Sequence, residues 1–543
     1  MMMMMEYLSV TLLLKICLSI GLVGVLSLFV HLYNVLWLKP ERRRWKIQRQ
    51  GIGGPPPSFL YGNIPEMKKI QQQQQQSKAM AAAKNHNNKV DLSSSSSSSS
   101  SSISHTDWPS ILFPYLEEWR NKYGQMFMYS TGNIQFLYMN NPDVVKEISL
   151  CTALELGKPS YLAKERKPLF GDGILVSSGK VWAHQRKSIA PELYLNKVKG
   201  MIKLMVESTE SLLRAWESSI EGNGGISNIR VDEHFRSVAA DIISRACFGS
   251  NYSKGEEIFL KLRDLQRAIS QRSLLIGVPG VRFIPSKNNR EIWRLEKEIR
   301  SLILNVVKER REAGYEKDLL QMILESAASN NNQELDENQF IVDNCKNIYF
   351  AGHETSATTA SWCLMLLALY PEWQDRARAE VVDVYNGHHR PDADMLRKLK
   401  TLTMVIQETM RLYPPAAFVS REPSRDMKFG EVDVPEGVNI WIPVSTFHHD
   451  PEIWGHDAHM FNPERFAKGI FGACKFPHAY MPFGMGTRTC VGQNFAMIEL
   501  KVLLSLVLLK FSFSISPNYH HSPAFRLVIE PGNGMELFIR RVD

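Results

Sequence analysis

Cys490 lies in the string Phe483-Gly484-Met485-Gly486-Thr487-Arg488-Thr489-Cys490-Val491-Gly492, whose residue types suit a thiolate that holds a metal. Such a thiolate needs close backbone approach, N–H groups aimed at sulfur and a nearby cation for any carboxylates of the cofactor. Gly484 and Gly486 lack a Cβ and permit a tight turn. A helical run over 492–509 follows, and its N-terminal dipole favours a thiolate at Cys490. Gly492 lets that helix lie against a flat cofactor, and Arg488 can pair with a carboxylate. A lone cysteine is more often an inert buried residue, but the pattern around this one points to a ligand.

Three further constellations are weaker alone. Glu408 and Arg411 lie three apart on one helix face, the spacing of an ordinary surface ion pair, and Pro463-Glu464-Arg465-Phe466 follows downstream. Trp182 and Arg186, four apart, share a helix face and can both donate to a carboxylate. Ala351-Gly352-His353-Glu354-Thr355 sits in a long apolar helix crowded with Ser and Thr. Glycine weakens a helix and hydroxyl back-bonding bends one, so a local opening is expected there. Thr355 could orient a water or an oxygen species, and Glu354 could relay protons from solvent.

Taken together these strings resemble the cytochromes P-450. Residues 483–492 match FxxGxRxCxG at every fixed position, and the others match WxxxR, AGx(D/E)T, ExxR and PERF in family order. The resemblance implies haem b with Cys490 as the axial thiolate ligand of its iron. It implies contacts to the haem from Trp182, Arg186, Arg421, Phe483, Gly484, Arg488 and Gly492. It makes Glu408, Arg411 and Arg465 a structural triad, and Thr355 with Glu354 the catalytic pair. His353 is an ordinary variable position and not a ligand. More finely, Trp182–Gly200 and the segments 351–362, 369–374 and 521–525 look like the plant 72 clan and its 714 family. That family oxidises gibberellins, ent-kaurenoid acids and oleanane-type triterpenoid acids.

The elements that must position these residues follow from pattern. Amphipathic helices are expected over 195–220, 255–272, 290–313 and 338–369, and strands over 125–129, 135–139, 438–443 and 536–540. Residues 16–38 form an apolar run that would span roughly 34 Å as a helix, about one hydrocarbon core. Basic residues crowd its C-terminal side, which is therefore cytosolic, and residues 1–15 are expected in the lumen. A basic flank and proline-rich hinge occupy 39–65, and a Gln- and Ser-rich insert expected to be disordered occupies 66–105. The catalytic body is 106–543.

Composition narrows the class. The chain has 543 residues, 44% of them hydrophobic, enough for a large core. Its seven cysteines include no CxxC pair, against a zinc ribbon or a disulfide scaffold. The formal charge of +8 resides in residues 1–50 and 66–105, so the body is neutral and nucleic acid is an improbable partner.

The expected fold is mainly α with small β-sheets: the cytochrome P-450 fold, a single large haem domain behind one transmembrane helix. The expected function is a monooxygenase of the endoplasmic reticulum membrane that hydroxylates or epoxidises a polycyclic terpenoid acid. No flavin or nucleotide motif is evident, so electrons come from NADPH through a separate P-450 reductase, docked on Lys187, Lys475 and Arg488. Residues 160–178 and 274–285 are expected to shape a pocket for a hydrophobic small molecule, and 274–285 is read equally as core packing or membrane contact. The competing readings are a reductase-independent haem-thiolate isomerase or dehydratase, and a non-catalytic haem- or lipid-binding membrane protein. The intact Glu354–Thr355 pair favours the monooxygenase.

Overall fold

Helix-spaced apolar residues dominate the chain, and the computed structural model is accordingly mostly helical, with small sheets at its margins. It describes residues 2–90, 108–152, 154–249, 252–329 and 336–542. The first helix, Met2–Tyr33, continues through a π-helical turn, Asn34–Leu38, into Lys39–Gln48. From Leu12 onward it is long and apolar enough to cross a membrane. Leu18, Ile20, Val23 and Phe29 stand exposed along it, a surface suited to hydrocarbon. The basic end turns inward: Arg44 is buried and donates to the Pro55 carbonyl of the proline hinge. The rings of Trp37 and Phe59 lie 5.1 Å apart.

The insert departs from expectation. Its first part belongs to a helix, Ile64–Val90, whose opening turns bury Ile64, Met67 and Ile70. Glu66 accepts from Trp119 Nε1 at 3.2 Å on the neighbouring helix Pro114–Tyr123. Apolar residues at helical spacing dock this segment, and glutamine, a good helix former, propagates it. Residues 91–105 lie outside the described part, as does Thr106.

Helix Glu337–Leu369 runs through the core, buried on nearly every side. Helix Val231–Phe248 packs along it so closely that a Cβ on Gly352 would come within 2.5 Å of Ile243 Cδ1. The expected opening of the long helix is absent: it is continuous α-helix through Thr355. Thr355 and Thr359 hydroxyls donate to the Ala351 and Thr355 carbonyls at 2.7 and 2.9 Å. These bonds share carbonyls with the backbone ladder without displacing it. The expected helix over 195–220 divides into Leu195–Gly200 and Ile202–Gly222, because Gly200 weakens the junction.

The largest sheet has five strands in the order Met126–Thr131, Ile134–Met139, Asn439–Pro443, Phe418–Pro423, Leu156–Gly157. Only the pairing of Ile134–Met139 with Asn439–Pro443 is parallel. Its fourth strand carries Arg421 toward the protein's centre. The loop 274–285 leans on the first hairpin, where Asn133 N donates to Gly277 O at 3.1 Å. Leu274 and Ile276 pack on the core, whereas Phe283 and Ile284 are exposed.

Candidate active site

A cavity of about 330 Å³ lies between the long helix, helix Gly179–Ile189, strand Phe418–Pro423 and the loop that ends at Cys490. The loop's shape depends on two glycines. Gly484 and Gly486 have φ of +77° and +64°, and a Cβ on Gly486 would come within 2.2 Å of the Ser149 carbonyl. The resulting turn returns Cys490 N to Phe483 O at 2.8 Å and faces the cysteine into the cavity. Helix Gln493–Lys510 starts just beyond. A Cβ on Gly492 would lie 3.9 Å from Cys490 Sγ, in ordinary van der Waals contact with the sulfur.

The Cys490 thiol stands among opposing influences. Burial raises its pKa, and the Gly492 N–H and the Arg186 charge oppose that rise without cancelling it. A metal cation bound to the sulfur would favour its thiolate form.

Four cations line the cavity: Lys158, Arg186, Arg421 and Arg488. No aspartate or glutamate among the described residues lines it. Arg186 Nη1 donates to Thr489 O at 2.9 Å, and Arg488 Nη1 to Ser177 O at 2.8 Å. Arg421 donates to Ser420 O and Met485 O. The Arg488 guanidinium stacks 4.2 Å from the Trp182 ring, while its Nε is buried without a hydrogen-bond partner. Burial and mutual repulsion depress these groups. Arg488 falls to about 9 through burial and then Arg421 and Arg186. Arg421 falls to about 10 by burial. Lys158 falls to about 7 through burial, Arg421 and Arg488. A site that buries like charges with no acid beside them suits a ligand carrying more than one negative charge.

All seven residues expected to contact the cofactor (Trp182, Arg186, Arg421, Phe483, Gly484, Arg488 and Gly492) line this one cavity with Cys490. Thr355 lines it too, but Glu354 does not. The Glu354 carboxylate points away into a buried ion network. Arg236 Nε lies 3.4 Å from its Oε2, and Arg236 also reaches Asp232 at 2.7 Å and Glu530 at 3.1 Å. Burial alone would raise the pKa of Glu354, but His353, Arg236 and Arg263 together hold it below its ordinary value. Burial, with Arg236 and Arg263, lowers His353 to about 4, so that ring is neutral at pH 7.

Behind the loop sits the Glu408 cluster. Arg411 Nε and Nη2 each meet a Glu408 oxygen at 2.7 Å, a bidentate pair with no solvent access. The other Arg411 bonds reach the carbonyls of His448, Ala458 and Met460. Arg465 Nε lies 3.7 Å from Glu408 Oε1, and Arg465 Nη2 lies 2.9 Å from Asp457. Burial would raise Asp457, but its bonds to Arg465 and Asn462 bring it to about 2. His448 joins this cluster to the cysteine loop. Its Nε2 accepts from Met481 N at 3.0 Å, and its Nδ1 lies 3.2 Å from Arg411 O. Burial holds that ring neutral, with a pKa of about 3.

Several sequence expectations need correction. Of the two expected pocket segments, 160–178 contributes Ile174 and Leu175, but no residue of 274–285 lines the cavity; hydrogen bonding of Gly277 to the first hairpin holds that loop elsewhere. Of the docking set, Lys187 and Lys475 are exposed, whereas Arg488 faces the cavity and is tied to Ser177. Sequence reasoning missed Lys158, Asp457 and His448. None of them stands in a spaced motif; each reaches its place through long-range packing.

The residues 104–535 match the family model described as cytochrome P450. Among similar proteins, cytochrome P450 714C2 of Oryza sativa subsp. japonica is 54% identical over 519 residues, covering 95% of this chain and 96% of its own. Cytochrome P450 714B3 of Zea mays is 52% identical over 529 residues, covering 97% and 96%. Cytochrome P450 714A2 of Arabidopsis thaliana is 46% identical over 529 residues, covering 95% and 96%. With a cavity-facing cysteine set in the matched region, the chain belongs to the cytochrome P450 family of monooxygenases and is closely related to its plant 714 members.

Proposed function

We propose that the chain is a monooxygenase that uses O2 and NADPH-derived electrons to add one oxygen atom to a polycyclic terpenoid acid, a gibberellin or ent-kaurenoid diterpenoid or an oleanane-type triterpenoid. The observation that carries this reading is the convergence of Cys490 and four cations on a cavity with no acidic lining. Family membership implies a haem, and the lining fits haem b. Cys490 would hold its iron, and Trp182, Arg186, Arg421 and Arg488 would face its two propionates, with Lys158 beside them. When bound, haem supplies dioxygen activation, which a thiolate ligand directs toward O–O cleavage.

The protein's own residues do the rest. Cys490 gives up its proton when a cation faces its sulfur, and Gly492 N–H then supports the thiolate. The Glu408–Arg411–Arg465 cluster and His448 hold the loop from behind. Thr355 keeps its hydroxyl at the cavity wall and can release the Ala351 carbonyl to orient a water. Ile174, Ile243, Ile348 and Phe418 supply an apolar wall for a bulky hydrocarbon frame. The apolar N-terminal helix supports a single-pass anchor in the endoplasmic reticulum membrane with the body in the cytosol. Exposed Lys187 and Lys475 support docking of a separate NADPH–P450 reductase. Reversing both charges is expected to slow reduction in a salt-sensitive way; an unchanged rate across salt would contradict that surface.

The test is product formation in membranes that hold this chain and a plant reductase, fed a gibberellin, ent-kaurenoic acid and oleanolic acid with and without NADPH. NADPH-dependent gain of one oxygen by mass on one of these acids is the expected result. Turnover of a peroxide without NADPH would instead indicate an isomerase, and no product from any of the three would overturn the substrate class.

A further inference from the structure

One cation of the cavity has no task of its own in the reading above. Lys158 lines the cavity with Arg186, Arg421 and Arg488, but it is held differently. Each arginine donates to at least one backbone carbonyl: Arg186 to Thr489, Arg421 to Ser420 and Met485, Arg488 to Ser177. Lys158 Nζ has no hydrogen-bond or ion-pair partner among the described residues. Its backbone, by contrast, is pinned. Lys158 follows strand Leu156–Gly157, which pairs with Pro423 and Glu422 of the strand that carries Arg421. Lys158 N donates to Ser178 Oγ at 2.8 Å. A Cβ on Gly157 would come within 2.7 Å of that same oxygen, so glycine lets the chain approach it. A fixed backbone that carries an unpaired ammonium at a cavity wall is the arrangement of a ligand-binding cation.

Charge balance points the same way. The groups that act on the Lys158 charge are Arg421 and Arg488, and no acid is among them. Burial and those two cations bring it down to about 7. The protein alone therefore disfavours the ammonium, and an anion beside it restores the charge. Arg186 is coupled to the Cys490 sulfur. A haem brings two propionates, which Arg421 and Arg488 can hold in charge-assisted bonds. Even with the sulfur ionised, three anions then face four cations, and Lys158 is the one without a counter-charge. A single ammonium beside a wall that includes Ile174, Leu175, Phe418 and Val419 suits an apolar body carrying one carboxylate.

We propose that Lys158 is a specificity-determining residue that binds the carboxylate of the substrate, its ammonium donating to a carboxylate oxygen while the apolar wall takes the hydrocarbon frame. The proposal deepens the terpenoid-acid reading and rests on it. Lys158 separates a free acid from its ester, because an ester leaves the ammonium desolvated and without a counter-charge.

The test is equilibrium binding to the purified, haem-replete full chain, read by dialysis and by the ligand-induced Soret shift. The probes are a gibberellin, ent-kaurenoic acid, oleanolic acid and the methyl ester of each. For an acid that binds, the wild type is expected to hold the free acid about tenfold more tightly than its ester. Lys158→Met should weaken the acid by about the same factor and leave the ester as it was, with haem content and carbonyl spectrum unaltered. Lys158→Arg should keep the preference for the acid. Equal binding of acid and ester by the wild type overturns the proposal, and that comparison needs no variant to fold. A Lys158→Met chain that loses haem, or that weakens acid and ester alike, assigns the ammonium to the propionates and overturns it too. Binding of none of the three acids overturns the terpenoid-acid reading, and the role of Lys158 falls with it. Oxygenated product from an acid and its ester at equal affinity leaves that reading standing and removes Lys158 alone.

Discussion

Cys490 shows how one side chain depends on its surroundings. Its thiol is disfavoured as an anion by burial, which the Gly492 N–H and the Arg186 charge oppose; a bound metal cation would favour the thiolate. Arg411 is the structural counterpart. It meets Glu408 in a fully buried bidentate pair, so Arg411→Ala strands a carboxylate and is expected to cost about 3–5 kcal/mol. Chemical denaturation checks this, and a loss under about 1 kcal/mol would contradict the assignment. Glu499 has the opposite electrostatic sign. Its unfolded carboxyl ionises near 4.5 and its folded one near about 8. The folded state therefore holds the extra proton between those values. Its contribution to stability is full below about 4.5 and is lost as pH rises through about 8. Glu499→Gln should remove that slope from the pH dependence of unfolding; an unchanged slope would place the titration elsewhere. Cys490, Trp182, Arg186, Thr355 and Arg488 were legible in the sequence because short spacings carry them. Asp457, His448 and Lys158 were not, since their places arise where distant segments meet.

At the scale of elements, close approach decides more than propensity. Gly352 lets helix Val231–Phe248 sit against the long helix. Valine there gains little helix propensity over glycine and would collide with Ile243, so Gly352→Val is expected to cost about 1–3 kcal/mol. A lowered midpoint of thermal unfolding checks it; an unshifted midpoint would mean the interface gives way freely. The helix positions themselves were readable from apolar spacing, from the long helix to Lys287–Ala313. The expected opening near Thr355 was not met, because sequence shows which hydroxyls back-bond but not whether the ladder survives them. Helix Ile64–Val90 was likewise obscured by its composition. A glutamine run carries no periodicity, and the docking of Met67 and Ile70 became apparent only in three dimensions.

Across the whole molecule, a neutral body sits behind a basic, apolar anchor. The exposed apolar side chains from Leu12 to Tyr33 make no packing contribution to the body's core. Deleting residues 2–38 should therefore move the chain from carbonate-washed membranes to the soluble fraction with its carbonyl spectrum intact. Retention in the membrane would reveal a second strong attachment. Trp37 meets Phe59, so this truncation also tests how much the hinge depends on the anchor. The mainly helical fold behind one anchor was legible because motif order, helix spacing and the apolar run agree. The substrate was not, since the apolar cavity wall is assembled from Ile174, Ile243, Ile348 and Phe418 on four separate segments. The most direct measurement is the carbon monoxide difference spectrum of the reduced, purified full chain beside Cys490→Ser. A thiolate-type Soret band in the wild type, absent in the variant, is the result that Cys490 ligation predicts; a thiolate-type band that survives in Cys490→Ser, or none in a folded, haem-replete wild type, would contradict it.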